Sequence, residues 1–294
     1  MKEARFLIAE LVFELKAADD SDEFKVPSAY EPFQISGAGN DADISFIYHT
    51  GSIPPWDAKL LFDSGGPWRI WSRGDDYLLS LHSSLDMEHP YQIAVLDSGF
   101  STGETWVSNK VYEEFPGYFP LNYPLDEVVA VNRLSRRHGI EVHSCGVDDN
   151  GQGILFLGVS GAGKSTISKL WDAEDGVLVL SDDRIIITER DGGYWMHGTP
   201  WHGDAGMADP GGVPLKAIFF ISHAPENKAD NEASPLGAGQ CASRLLARSF
   251  PTFWNRDGMQ FSADLAAGIA SHTPAFSLEF IPDASVLSYV RNLV

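Results

Sequence analysis

Gly158-Val159-Ser160-Gly161-Ala162-Gly163-Lys164-Ser165 fits the pattern G-x-x-x-x-G-K-[ST], a loop that cradles phosphate groups. Its glycines let the backbone turn tightly, so that successive N–H groups converge on one anion. Lys164 is then expected to reach the β- and γ-phosphates, and the Ser165 hydroxyl to ligate Mg²⁺. The neighbouring sequence has the order that such a loop needs. Ile154–Leu157 is a short apolar run that reads as a buried strand entering the loop. Behind it, Ile167, Leu170 and Trp171 recur at the spacing of one helix face, and the start of that helix would present its positive end to the same anion. The expected ligands are ATP and Mg²⁺, surrounded by Gly158, Ser160, Gly161, Ala162, Gly163, Lys164, Ser165 and Thr166.

Downstream, Leu178-Val179-Leu180 is an apolar strand that ends in Ser181-Asp182-Asp183. Ligands of α/β sheets bind at the carboxyl ends of strands, and phosphoryl transfer needs an acidic group near the metal. Adjacent side chains on a strand point to opposite faces, so one Asp could hold the metal while the other accepts a proton. Upstream, His143 ends the apolar run Ile140–Val142, and a histidine there could touch a phosphate or shuttle a proton. Gly198–Gly206 follows another strand and gathers Thr199, Trp201, His202 and Asp204, the makings of one wall of a substrate site. Arg184 abuts Asp183 and is the favoured cation for the γ-phosphate, ahead of Arg244 and Arg248.

The chain has 294 residues, 44% of them hydrophobic, enough for one large or two modest domains with real cores. A formal charge of −20 argues against non-specific binding to nucleic acid or to an anionic membrane surface, both of which need excess Lys and Arg. Cys145 and Cys241 are the only cysteines and form no disulfide or zinc framework, so a cytoplasmic location is expected. The apolar stretch Phe6–Leu15 is interrupted by Glu10 and Glu14 and reads as a strand, not a membrane span or signal peptide.

Residues 1–122 hold short alternating runs, clearest at Ile44–His49, Trp68–Ser72, Tyr77–His82 and Tyr91–Leu96, separated by turn residues. They predict a β-rich domain, a small sandwich or curved sheet, with Trp56, Trp68, Trp71 and Trp106 mainly in its core. From residue 123 to 294 helices and strands alternate. A helix is expected from Leu125 to Leu134, and a hairpin turn at Asp149-Asn150-Gly151. Further strands are expected at Val177–Leu180, Arg184–Thr188, Tyr194–His197 and Leu215–Ser222. Helices are expected over 239–248, 259–271 and 284–293, the last capped by Asp283. Ala224–Gly239 reads as a polar, mobile surface loop.

His143, the Gly158–Ser165 loop and the Asp182-Asp183 pair, in that order, resemble the catalytic domain of HPr kinase/phosphorylase. The loop also looks like that of phosphoenolpyruvate carboxykinases, which share the nucleotide-binding fold. The resemblance covers residues 123–222 well, the tail loosely, and leaves 1–122 without a counterpart. It implies an α+β or α/β architecture, with a mixed central sheet flanked by helices in residues 123–294. It implies transfer of the γ-phosphate of ATP, with Mg²⁺, to a hydroxyl acceptor, most readily a serine on a peptide or protein or as a small molecule. In that scheme Asp182 is the base, Asp183 a metal ligand or its helper, and His143 lies near the transferred phosphate; homo-oligomers are implied too. The chain departs from the family at Trp195-Met196-His197-Gly198, where the family has Glu-hydrophobic-Arg-Gly. The acidic and basic members of that stretch are missing, so a different acceptor is expected, with residues 1–122 serving acceptor binding or assembly. A non-catalytic nucleotide-binding regulator and a carboxykinase-like lyase are the alternatives.

Overall fold

The computed structural model describes the whole chain except residues 20–22, 37–40, 137, 226, 227 and 229. It divides into two compact units: Met1–Arg133 with Phe253–Asn255, and Leu134–Thr252 with Arg256–Val294. The division falls between Arg133 and Leu134, at the end of the helix that begins at Leu125.

The first unit is one mixed eight-stranded sheet rather than a sandwich. Its strands are β1 (Glu3–Ile8), β2 (Leu11–Ala17), β3 (Ile44–Gly51), β4 (Lys59–Asp63), β5 (Trp68–Arg73), β6 (Asp76–Leu81), β7 (Gln92–Leu96) and β8 (Thr102–Ser108). The order is β1-β2-β3-β8-β7-β6-β5-β4. The apolar N-terminal stretch is a hairpin and not one strand, because Ala9 and Glu10 adopt positive φ and turn the chain. After β3 the chain crosses to the far edge and returns through an antiparallel meander to pair β8 with β3 in parallel. Phe6, Phe24, Tyr30 and Phe119 form an edge-to-face and tilted aromatic cluster in this core. The four tryptophans expected in the core are all half-buried. Trp71 spends its N–H on the Ser80 hydroxyl and Trp106 stacks on His49, so they cover the sheet where their polar edges find partners. Helices α1 (Asn109–Glu114) and α2 (Leu125–Leu134) follow the sheet.

The second unit contains β9 (Gly139–Asp149), β10 (Gln152–Leu157), α3 (Lys164–Asp172), β11 (Val177–Ser181), β12 (Arg184–Arg190), β13 (Gly193–His197), β14 (Gly212–His223), β15 (Glu232–Pro235), α4 (Ala238–Leu246), α5 (Arg256–His272), β16 (Ala275–Phe280) and α6 (Ser285–Arg291). Two long strands organise it. The first half of β9 pairs with β12, and its second half with β10 and β11. The start of β14 pairs with β13, and its remainder lies parallel to both β10 and β16. Apolar side chains leave β10 on both faces, the pattern of a strand buried on both sides. Ile154 and Phe156 pack with Ile167 and Trp171 of α3 and with Val286 and Val290 of α6. Leu155 and Leu157 pack instead with Leu245 of α4 and Leu265 and Ile269 of α5. The mixed sheet flanked by helices is therefore the architecture observed. The polar stretch expected to be a loop over Ala224–Gly239 contributes β15, which pairs antiparallel with β16, a strand absent from the sequence reading; part of that stretch lies outside the described residues.

Candidate functional site

The Gly158–Ser165 loop leaves the end of β10 and closes tightly against the neighbouring strand ends. Gly163 takes a left-handed conformation with φ of 100° as it caps α3. A Cβ there would lie 2.5 Å from the Phe280 ring and 2.9 Å from His223, so only glycine satisfies both the backbone and the space. A Cβ on Gly158 would sit 2.6 Å from Ala162. Lys164 folds back so that its ammonium donates to the Gly158 carbonyl at 3.2 Å. Burial holds that ammonium below the ordinary lysine value; the charge of Asp183 opposes this, and those of Arg184 and Arg248 add to it.

The two carboxylates arise at a corner. β11 ends at Ser181 and β12 resumes at Arg184, and the Ser181 hydroxyl accepts the N–H groups of Asp183 and Arg184 across the gap. Asp182 and Asp183 consequently meet different surroundings. Asp182 is buried, and its carboxylate accepts the backbone N–H groups of Gly203 and Ala205 at 2.9 Å and of Met207 at 3.3 Å. It works as a peg that folds the 203–207 loop. Asp183 instead meets His143 Nε2 at 2.8 Å through one oxygen and the Arg184 guanidinium through the other. Burial pushes the Asp183 carboxyl up, but the His143 hydrogen bond and the Arg184 and Lys164 charges outweigh it, and the net value lies below the usual carboxylate range.

Loop and corner meet in one cleft of about 490 Å³. Its lining is His143, Ser160, Gly161, Gly163, Lys164, Ser165, Thr166, Asp182, Asp183, Gly203, Asp204 and His223. The residues expected to act together from sequence are thus brought together, with distinctions. Arg184 is held by Asp183 and by Glu141 at 3.3 Å and lies over the Phe250 ring, so it sets the charge of Asp183. Of the expected substrate loop, Asp204 lines the cleft, while Thr199 is buried and donates to the Arg184 carbonyl at 2.8 Å. Trp201 is buried as well, and His202 is exposed with Nδ1 at 2.9 Å from the Gly203 carbonyl.

Two contributors escaped the sequence reading. Glu141 is a charged residue in the middle of an apolar strand, which is a legible warning of a buried ion pair. His223 ends β14 at its carboxyl end beside the loop, and only the parallel pairing of β14 with β10 brings it there. Gly203, within the expected substrate loop, lines the cleft and donates its N–H to Asp182. The Ser165 hydroxyl is the hard oxygen donor that could hold a Mg²⁺ ion here, since such an ion takes much of its coordination from substrate phosphates and water.

Comparison with known proteins places these features in a family. Residues 124–271, half of the chain and the whole of the cleft lining, match the model of the SynChlorMet cassette protein ScmC. No curated protein matches. Among solved structures, the HPr(Ser) kinase/phosphatase from Coxiella burnetii aligns at 11% identity with a TM-score of 0.31, over 52% of this chain and 87% of that one. The family whose model matches is not the HPr kinase/phosphorylase family that the sequence resembles. The chain belongs to the ScmC family of SynChlorMet cassette proteins.

Proposed function

We propose that this protein is a Mg²⁺-dependent kinase that moves the γ-phosphoryl group of ATP to a hydroxyl acceptor, most readily a serine. The observation that supports the reading most is the His143–Asp183 pair, which faces the Gly158–Ser165 loop across a single cleft. A nucleotide-binding protein without chemistry has no need of an acid–base pair at the phosphate.

In this mechanism the backbone N–H groups of the loop and the start of α3 hold the β- and γ-phosphates, and Lys164 swings from the Gly158 carbonyl onto them. The Ser165 hydroxyl would hold Mg²⁺, which would supply charge neutralisation at the γ-phosphate. The proton acceptor differs from the Asp182 expected by resemblance. The Asp182 oxygens are committed to three backbone donors. Asp183 is held charged by the His143 hydrogen bond and by the Arg184 and Lys164 charges, and is a weak base. Its Oδ1 accepts the His143 Nε2–H, which leaves the lone pair on Nδ1. The acceptor hydroxyl gives its proton to that Nδ1 as its oxygen attacks phosphorus and the bond to the β-phosphate oxygen breaks. Asp183 orients the ring and stabilises the imidazolium. With both Asp183 oxygens engaged by His143 and Arg184, the Ser165 hydroxyl is the protein group that would hold the metal.

The test is incubation of the purified chain with γ-labelled ATP, Mg²⁺ and pools of serine-containing peptides and small hydroxyl compounds. Label is expected in an acceptor with wild type and not with His143→Ala. Saturable ATP binding with no transfer to any pool would favour the non-catalytic regulator.

A further inference from the structure

The proposed chemistry uses the His143 and Asp183 side of the cleft and leaves His223 without a role. The strand order around the cleft is β12-β9-β10-β14-β16, taking the β10–β14 pairing. His143 and Asp183 come from the β9 and β12 side of the loop strand. His223 comes from the opposite side, at the carboxyl end of β14. Its ring is packed at 5.1 Å on the Phe280 ring at the end of β16, and its Cε1 edge lies against Gly163 of the loop. The residue is exposed to solvent and lines the cleft.

We infer that His223 is the nucleoside platform of this site: the base or ribose of the bound nucleotide leans on the imidazole, which Phe280 backs. The inference rests on the kinase reading, and its reasoning is geometric. A triphosphate lying across Lys164 with its γ end at His143 must direct its α end, and the nucleoside beyond it, to the other side of β10. Parallel strand ends are where α/β sheets receive such ligands. There the first aromatic surface is His223. A buried second ring behind it keeps its plane fixed, since Phe280 is fully buried while His223 is not. The flat faces of base and imidazole then stack, a contact that tolerates any purine.

The experiment measures equilibrium binding of ATP and of inorganic triphosphate, each with Mg²⁺, to the full chain as wild type, His223→Ala and His223→Phe. Wild type should bind both. His223→Ala should weaken ATP by roughly tenfold or more, the scale of one lost base–aromatic stack, and leave triphosphate unchanged. His223→Phe should restore most of the ATP affinity. An unchanged ATP affinity in His223→Ala overturns the inference, as does an equal loss of ATP and triphosphate, which would mark a phosphate contact or a loop support. Failure of wild type to bind either probe would instead remove the kinase reading and this inference with it.

Discussion

Asp182 and Asp183 are adjacent, chemically identical and assigned by the fold to different work. Asp182→Asn places an amide against backbone N–H donors, and an unsatisfied buried group costs about 1–3 kcal/mol. Chemical denaturation should record that loss, with faster proteolysis of the 203–207 loop as its local sign. Asp183→Asn should leave stability near neutral pH less affected but abolish the hydrogen bond that fixes the His143 tautomer, and transfer should fall by about 10²–10⁴. Equal rates for wild type and Asp183→Asn would rule out the dyad. The pH dependence has a definite sign. The folded Asp183 carboxyl titrates below its ordinary value of 3.8, so its contribution to stability is present above that value and is lost as pH falls through the lower folded value. Urea unfolding of wild type should therefore steepen below about pH 4, and Asp183→Asn should show a shallower acid limb over the same window.

At the scale of elements, the site depends on a loop with no room to spare. Gly163→Ala combines a left-handed backbone with a Cβ at 2.5 Å from Phe280. It should cost at least about 1–2 kcal/mol in a denaturation midpoint and more than that in nucleotide affinity. The loop, its strand and its helix were legible because each carries a local signal: apolar run, glycines, one-face spacing. The corner at Ser181–Asp183 was half legible. The sequence placed two carboxylates at a strand end, but not that the next strand pairs along the same β9 and turns one carboxylate inward. β15 and β16 were missed for the opposite reason. Their short segments gain their strand character from pairing with each other and with β14, a non-local effect that a local pattern does not report.

Over the whole molecule, the site sits where two cores meet on opposite faces of one sheet. Trp171 of α3 is fully buried in the core behind the loop, and Trp171→Ala should cost about 3–5 kcal/mol in unfolding free energy, read by denaturant titration. A strand-rich first part and an alternation of strands and helices after it were legible from texture, whereas the mixed central sheet was implied by the resemblance. Phe253–Asn255 joins the first unit through ring contacts of Trp254 with Phe62 and Trp68, residues too far apart in sequence for a local pattern to report. The family match spans the cleft but says nothing of the acceptor, so the central claim stands on the nucleotide. Calorimetric titration of ATP with Mg²⁺ into the full chain tests it most directly. Saturable binding is predicted for wild type and for Asp183→Asn, with a loss of tenfold or more, about 1.4 kcal/mol, in Lys164→Ala. No saturable binding by wild type, or equal affinity in Lys164→Ala, would contradict it.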